Sequence, residues 1–426
     1  MPTLKEVRFK KGVLSVSDYR QLTPGIYRQL KTKGRQLNSK NIIHISSTAR
    51  GGGVAEMLHS YIPLLSSMGI NAHWFVTERL PRDFFVVTKK IHNLLQGKAG
   101  RLSQLEKKYY LHTNAGIRKP LLEVLNRFES GLIMIHDPQV LPIIQYIPKR
   151  FITVLRFHID LSTPNRGTLR FLKKFIRRYD NVIVSSQIYS KALKFIDRER
   201  VSIMRPAIDP YTKKNRAMTL GRAQDILKRL GIDTQRPILA QISRFDPWKD
   251  PIGVIRAYKQ ARAQIPGLQL VMAGIIITKD DPEAIKILKR VKSFSHDKDI
   301  FIFWNLKQLN GYSNETFINA LLTASDVVVQ NSIREGFGMS MTEAMWKRKP
   351  LIAGDTVGAE EQITDAVNGV LISSRKELAD ATVRLFRDRS YGRELGIVAH
   401  RTVQRNFLIS RLVLDHTKLY QKLLTT

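Results

Sequence analysis

Asn41-Ile42-Ile43-His44-Ile45-Ser46-Ser47, followed by Arg50-Gly51-Gly52-Gly53 and then Val54–Met68, decides the class of fold. The first run is short, apolar and rich in β-branched residues, which predicts a strand. The next residues are a glycine turn. Val54, Leu58, Tyr61 and Leu65 then recur at helical spacing. A strand, a tight turn and a helix make one half of a βαβ unit, and the pattern repeats. Further strands are predicted at Ala72–Val76, Leu132–His136, Ile152–Phe157, Val182–Ser185 and Val201–Met204. The alternation restarts with strands at Ile238–Ile242, Leu268–Ala273, Ile300–Trp304, Val327–Gln330 and Leu351–Ala353. Helices are predicted at Pro251–Ala263, Glu283–Val291, Asn314–Ala324 and Met339–Lys347, with a last amphipathic helix over Ser410–Leu424. Such alternation implies α/β architecture with parallel sheets.

The 426 residues suffice for two domains of about 200 each. Arg205-Pro206-Ala207-Ile208-Asp209-Pro210 is a turn-rich segment with two prolines, and it marks the boundary. The expectation is an N-terminal domain over 1–206 and a C-terminal domain over 207–408, with helix 409–426 packing back on the first.

Hydrophobic residues make up 43% of the chain, enough for a sizeable core. Cysteine is absent, which excludes disulfides and thiolate metal sites and fits a reducing cytosol or a hot habitat. Met1 to Lys11 has no signal-like apolar stretch, and no run of about 18 apolar residues is present, so a soluble cytoplasmic protein is expected. Against 36 acidic residues stand 70 Lys and Arg, a formal net charge of +34. The excess attracts anions, yet it recurs along the whole chain, as solvated faces do.

The segments that carry chemistry follow predicted strands, where α/β sheets bind ligands. Arg334-Glu335-Gly336-Phe337-Gly338-Met339-Ser340-Met341-Thr342-Glu343 places two carboxylates on either side of a glycine turn that opens a helix. A helix N-terminus presents unpaired N–H groups to an anion. Glu335 on the loop and Glu343 on the helix, about two turns in, suit a split role, one acid for a sugar and one for a ribose. Paired glycosidase carboxylates are the rival reading, and they require both acids to flank one bond.

Ser243-Arg244-Phe245-Asp246-Pro247-Trp248-Lys249-Asp250-Pro251 puts two cations on one loop, Arg244 as a bidentate fork and Lys249 as a point charge. Together they meet the electrostatic demand of a departing diphosphate. Gly51–Gly53 permits close backbone approach, but its spacing is not the dinucleotide fingerprint. His158 and Asp160 cluster with Arg156 after a strand. No second His or Cys lies close enough to His158 for zinc spacing. Arg166–Arg178 reads as a basic amphipathic helix, packed on its sheet or facing an anionic membrane.

These residues resemble a known group. Gly51-Gly52-Gly53-Val54-Ala55-Glu56, His92-Asn93-Leu94-Leu95-Gln96-Gly97, His136-Asp137-Pro138-Gln139, His158-Ile159-Asp160-Leu161-Ser162-Thr163-Pro164-Asn165 and the Ser243–Pro251 loop are similar to the trehalose synthase (glycosyltransferring) and trehalose phosphorylase group of glycosyltransferase family 4. The resemblance runs from about Ser17 to the C-terminus. It implies a GT-B fold, two Rossmann-like domains facing across a deep cleft, with an acceptor-side N-terminal domain and a nucleotide-sugar-binding C-terminal one. It implies retaining α-glucosyl transfer between a nucleoside diphosphate glucose, ADP- or UDP-glucose, and glucose, forming trehalose reversibly. Trehalose phosphorolysis, or a membrane-docked family 4 transferase with another acceptor, are the alternatives.

By the same resemblance Arg244 and Lys249 hold the phosphates without a metal or prosthetic group. Glu335 contacts donor-sugar hydroxyls, Gly336, Phe337 and Gly338 offer N–H groups, and Glu343 binds the ribose. His158 and Asp160 lie on the sugar side, Gly52 and Gly53 line it, and Asp137 and Gln139 contact the acceptor. Partners implied are glucose or trehalose and the nucleotide sugar, with a homodimer and weak binding to anionic surfaces as further readings, and no specific nucleic acid. The chain departs from the group's pattern at Arg50, at Asn331, at Ala359 and over Thr77-Glu78-Arg79-Leu80.

Overall fold

The computed structural model describes residues 2–10, 12, 14–275 and 282–425. The chain divides into two compact units, one of Met1–Ala207 with Ile409–Thr426, the other of Ile208–Leu408.

The first unit is built on a seven-stranded sheet of β1 (Thr3–Glu6), β2 (Asn41–Ser46), β3 (Asn71–Glu78), β4 (Gly131–His136), β5 (Phe151–Arg156), β6 (Asn181–Val184) and β7 (Val201–Ile203). Its order is β1-β3-β2-β4-β5-β6-β7, parallel except for β1, which runs antiparallel to β3. β4 is buried along its whole length, as expected of a strand covered on both faces. The helix Gly53–Ser67 follows β2 and buries Leu58, Tyr61, Leu64 and Leu65. The final helix, Ile409–Leu424, packs Ile409, Leu412, Val413 and Tyr420 into the same core. Each such side chain contributes about 1.5–3 kcal/mol by leaving water.

The second unit carries β8 (Ile238–Ile242), β9 (Gln269–Ala273), β10 (Ile300–Phe303), β11 (Val327–Gln330), β12 (Leu351–Gly354) and β13 (Val370–Ile372). The order β10-β9-β8-β11-β12-β13 is parallel throughout. It is the doubly wound order, whose direction reverses between β8 and β11. In the first unit the corresponding reversal lies between β2 and β4. The loops leaving these strands are where such sheets bind ligands.

Every strand expected from the sequence is present, within one or two residues at its ends. β1 and β13 were not expected. The helix Arg166–Ile176 buries Leu172, Phe175 and Ile176, so its apolar face is used inside the unit. Among the described residues no helix is long and apolar enough to cross a membrane.

Candidate functional site

In the second unit, β8 and β11 each end in a polar loop. After β8, Asp246 accepts the Trp248 N–H at 3.0 Å and starts a single turn over Pro247–Lys249. Asp250 then adopts a left-handed conformation, φ 39°, and caps the helix Pro251–Arg262 by accepting the Gly253 N–H at 3.0 Å. Asn331, from the loop after β11, donates to the other oxygen of Asp250 at 2.9 Å. The Ile333 N–H donates to Trp248 O at 2.8 Å, and Gln241 of β8 donates to Lys249 O at 3.0 Å. The two loops are thus tied by backbone and side chain before any ligand arrives.

This frame brings Lys249 onto Glu335. The ammonium hydrogen-bonds and ion-pairs with Glu335 Oε2, and both side chains are mostly buried. Ser332 Oγ donates to the same carboxylate oxygen at 3.1 Å and lies 3.5 Å from the Lys249 nitrogen. Arg244 stays outside the cluster. Its side chain is 62% exposed, with a guanidinium nitrogen 3.6 Å from Asp246. The same loop thus carries one exposed cation and one mostly buried, ion-paired cation.

The Gly336–Gly338 turn has a structural reason for its residues. Gly338 holds φ +87° as the cap of the helix Met339–Trp346. A Cβ there would lie 2.3 Å from Met341 Cε and 3.1 Å from Glu335 Cγ and Cδ. The Phe337 ring is buried edge-on to Phe407, centroids 5.5 Å apart, so this residue offers backbone rather than side chain. Gln362 donates to Phe337 O and holds the turn from below. The first N–H groups of the Met339–Trp346 helix have no earlier carbonyl to bond.

Glu343 is the fifth residue of that helix, just over one turn in. The helix starts at Met339 as the sequence suggested, so Glu343 is one turn in rather than two and lies near the anion-binding end. Its carboxylate is buried and sits 2.6 Å from the Lys214 ammonium. Lys214 was not foreseen. It belongs to a loop seated on the same helix through Trp346 Nε1 to Asn215 O at 3.1 Å and Lys347 Nζ to Arg216 O at 2.7 Å.

In the first unit, Gly51 and Gly52 hold φ +75° and +91°, and Gly52 caps the helix Gly53–Ser67. No atom lies within 4 Å of a Cβ built at either, so the need for glycine there is conformational. Asp137, after β4, has φ +61° and accepts the His158 N–H at 2.7 Å. Burial pushes its carboxyl up to about 7, against the opposing pull of that N–H and of Arg156. Asp160 is buried and accepts the Ser162 N–H at 2.7 Å. Gln139 Oε1 has no hydrogen-bond partner among the described residues. His158, half-buried, bonds ring to ring with His136 at 2.9 Å. His136 in turn meets His44 at 2.9 Å. No group of His, Asp and Glu among the described residues has the arrangement of a metal site.

The two doubly wound units, with loops of this chemistry at the strand ends, have the GT-B fold of a glycosyltransferase. The trehalose synthase N-terminal domain family matches residues 44–191, and the glycosyl transferases group 1 family matches residues 223–401. The chain is 37% identical to the trehalose synthase of Thermococcus litoralis over 96% of its own length and 97% of that relative's. It is 35% identical to the trehalose synthase of Rubrobacter xylanophilus over 98% and 99%. The chain belongs to the trehalose synthase family. A trehalose phosphorylase of Grifola frondosa is 26% identical over 84% of this chain, which spans about half of that relative, 53%.

Among solved structures, the trehalose 6-phosphate synthase of Burkholderia multivorans superposes with a TM-score of 0.73 at 15% identity, covering 91% of this chain and 99% of that one. Anabaena HepE, solved with UDP and glucose, superposes with a TM-score of 0.66 at 18% identity, covering 90% and 100%.

Proposed function

We propose that the protein transfers an α-glucosyl group between a nucleoside diphosphate glucose and glucose, with retention, and so forms trehalose reversibly. The observation that carries the reading is the Lys249–Glu335–Ser332 cluster, fixed on the glycine turn that opens the Met339–Trp346 helix. The unit Ile208–Leu408 holds the donor. Lys249, with Arg244, takes the diphosphate oxygens, and the turn's N–H groups at Gly336, Phe337 and Gly338 add partial positive charge. Glu335, released from Lys249 by the phosphates, accepts from donor-sugar hydroxyls, and Glu343 serves the ribose. In the first unit His158 and Asp160 contact the sugar, Gly52 and Gly53 lie beside it, and Asp137 and Gln139 serve the acceptor.

In the transfer, the bond from the anomeric carbon to the phosphate oxygen breaks. The bond to the acceptor oxygen forms on the same face, and the acceptor proton passes to the departing phosphate. The cations lower the barrier by stabilising the charge that develops on that phosphate. Trehalose synthase relatives that match along almost the whole chain support the substrate pair. The nucleotide found with Anabaena HepE supports the donor class. Incubation with ADP-, UDP- and GDP-glucose plus glucose, followed by identification of the disaccharide, tests the reading. α,α-Trehalose with one of these donors is the expected product. Trehalose consumption driven by inorganic phosphate, and not by a nucleoside diphosphate, would instead establish the phosphorylase reading that the Grifola frondosa relative suggests.

A further inference from the structure

A continuous line of polar groups, buried up to its last member, leaves Arg156 at the end of β5, runs through the interior of the first unit and returns to His158 two residues further on. Arg156, at the end of β5, is 1% exposed and donates to His416 Nε2. His416 Nδ1 is 2.6 Å from Tyr61 OH, and Tyr61 OH is 2.8 Å from Tyr420 OH. Tyr420 OH is 3.5 Å from His44 Nε2, the longest link. His44 Nδ1 meets His136 Nε2 at 2.9 Å, and His136 Nδ1 meets His158 Nε2 at 2.9 Å. The His44, His136 and His158 rings lie within 22–23° of coplanar with centroids 5.2 Å apart, the geometry of imidazoles bonded end to end.

A guanidinium can only donate. His416 Nε2 must therefore accept, and its proton sits on Nδ1, aimed at Tyr61. The Tyr61 hydroxyl proton then points to Tyr420, and that of Tyr420 to His44 Nε2. His44 and His136 consequently carry their protons on Nδ1, and His158 accepts at Nε2. The opposite sense in the histidine segment would aim an N–H of His44 at Tyr420, whose own buried O–H would then have no acceptor. An unsatisfied buried donor costs about 1–3 kcal/mol, so one direction prevails.

We propose that Arg156 acts as a positioning residue which, through this one-way chain, holds His158 as the Nδ1–H tautomer, so that His158 meets the sugar as a hydrogen-bond donor. Burial keeps the imidazoles neutral. His44 is held down at about 3, and His136, His158 and His416 lie well below the usual histidine range. The chain therefore orients rather than conducts, because no group along it offers a proton readily and His158 Nδ1 is already occupied. As a consequence His158 cannot act as the base that takes the acceptor proton, in keeping with a phosphate oxygen taking it. The inference rests on the proposed placement of His158 beside the sugar, but the tautomer itself does not.

The test is long-range 1H–15N correlation on the full chain labelled at histidine, with His158→Gln used to assign the resonance. The expected spectrum of the unmodified protein has His158 protonated at Nδ1 and bare at Nε2. Tyr420→Phe removes the hydroxyl that joins Tyr61 to His44. It should bring up the Nε2–H form of His158 and lower kcat about tenfold, the scale of one misdirected hydrogen bond, with KM for glucose within about twofold. His416→Gln, whose amide can accept from Arg156 and donate to Tyr61, should retain the Nδ1–H form and most of the rate. An Nε2–H tautomer in the unmodified protein would overturn the proposal, even if neither variant folds. So would a Tyr420→Phe protein that keeps the Nδ1–H form. Since the tautomer readouts need no substrate, absence of trehalose formation would count against the proposed function and leave the tautomer assignment intact.

Discussion

Lys249 and Glu335 are paired with each other, Ser332 bonded to the same carboxylate oxygen at 3.1 Å. The two groups proposed to serve different parts of the donor therefore neutralise one another when no donor is bound. The phosphates must compete with Glu335 for the ammonium, and the sugar hydroxyls must compensate the carboxylate once the ammonium has gone. Diphosphate alone, or sugar alone, satisfies one partner and strands the other. This ties affinity to a donor that carries both.

Lys249→Ala is expected to lower kcat by at least about 100-fold, the scale of one lost transition-state donor. It also deprives a mostly buried carboxylate of its ammonium partner, at a cost of about 1–3 kcal/mol, below the range for a fully buried pair. Lys249→Ala combined with Glu335→Gln should recover the melting temperature without the activity. Steady-state rates alongside thermal melts of both variants check this. A Lys249→Ala enzyme that turns over normally would remove Lys249 from the diphosphate site.

Two glycines with similar positive φ should respond differently to alanine. Gly338, φ +87°, has Met341 Cε and the Glu335 side chain where a Cβ would go, whereas Gly51, φ +75°, faces open space. Gly51→Ala pays backbone strain alone, about 1–2 kcal/mol. Gly338→Ala adds steric displacement of Glu335 and should lose at least ten times more activity than Gly51→Ala. Parallel measurement of melting temperature and kcat/KM separates the two effects, and equal activity losses would refute the assignment.

The Lys214–Glu343 pair, 2.6 Å apart and almost entirely shielded, should behave as a coupled unit. Removing either partner leaves a buried charge, at a cost of roughly 3–5 kcal/mol. The double replacement Lys214→Met with Glu343→Gln should be more stable than either single change. Denaturant titrations arranged as a double-mutant cycle measure the coupling. Additive single effects would show that the contact contributes nothing.

Asp137 should make stability fall as pH rises from the acid range to neutrality. Its carboxyl is raised from 3.8 to about 7 by burial. The protonated acid is therefore favoured in the folded protein. Its contribution is full below pH 3.8 and is lost as pH rises through 7, in total roughly 4 kcal/mol. Asp137→Asn keeps an acceptor for the His158 N–H and tolerates the left-handed backbone. It should raise the melting temperature at pH 8 relative to the unmodified protein and change it little at pH 4. Equal shifts at both pH values would contradict the burial argument.

The alternation of β-branched runs with helical spacing was sufficient to read most of both sheets, because the central parallel strands, such as β4, β8 and β9, are buried on two faces and look alike. β1 escaped notice because Thr3, Lys5 and Glu6 surround a single leucine in a four-residue edge strand. β13 is three residues long and emerges only as a neighbour of β12. Lys249 and Glu335 were expected at one donor site, but their direct pairing was not foreseen, since it depends on β8 and β11 being neighbours in the sheet. Lys214 was not legible: it comes from an irregular loop, and nothing in its neighbours signals a buried carboxylate 129 residues away. His44 and His416 were equally silent, and His136 stood only within the His136-Asp137-Pro138-Gln139 segment, with no role of its own. They sit on β2, β4 and the final helix, and a hydrogen-bond chain has no sequence spacing of its own.

The helix Ile409–Leu424 has a bearing on how the polypeptide is made. All of Ile208–Leu408 leaves the ribosome before this helix does, so that unit can collapse while the earlier one still lacks part of its interior. Tyr420 and His416 reach the first unit only then, and with them the groups that orient His44 and His158. A nascent chain halted before Ile409 should therefore expose Tyr61 and its apolar neighbours to chaperones, and competence would come only once this helix is made.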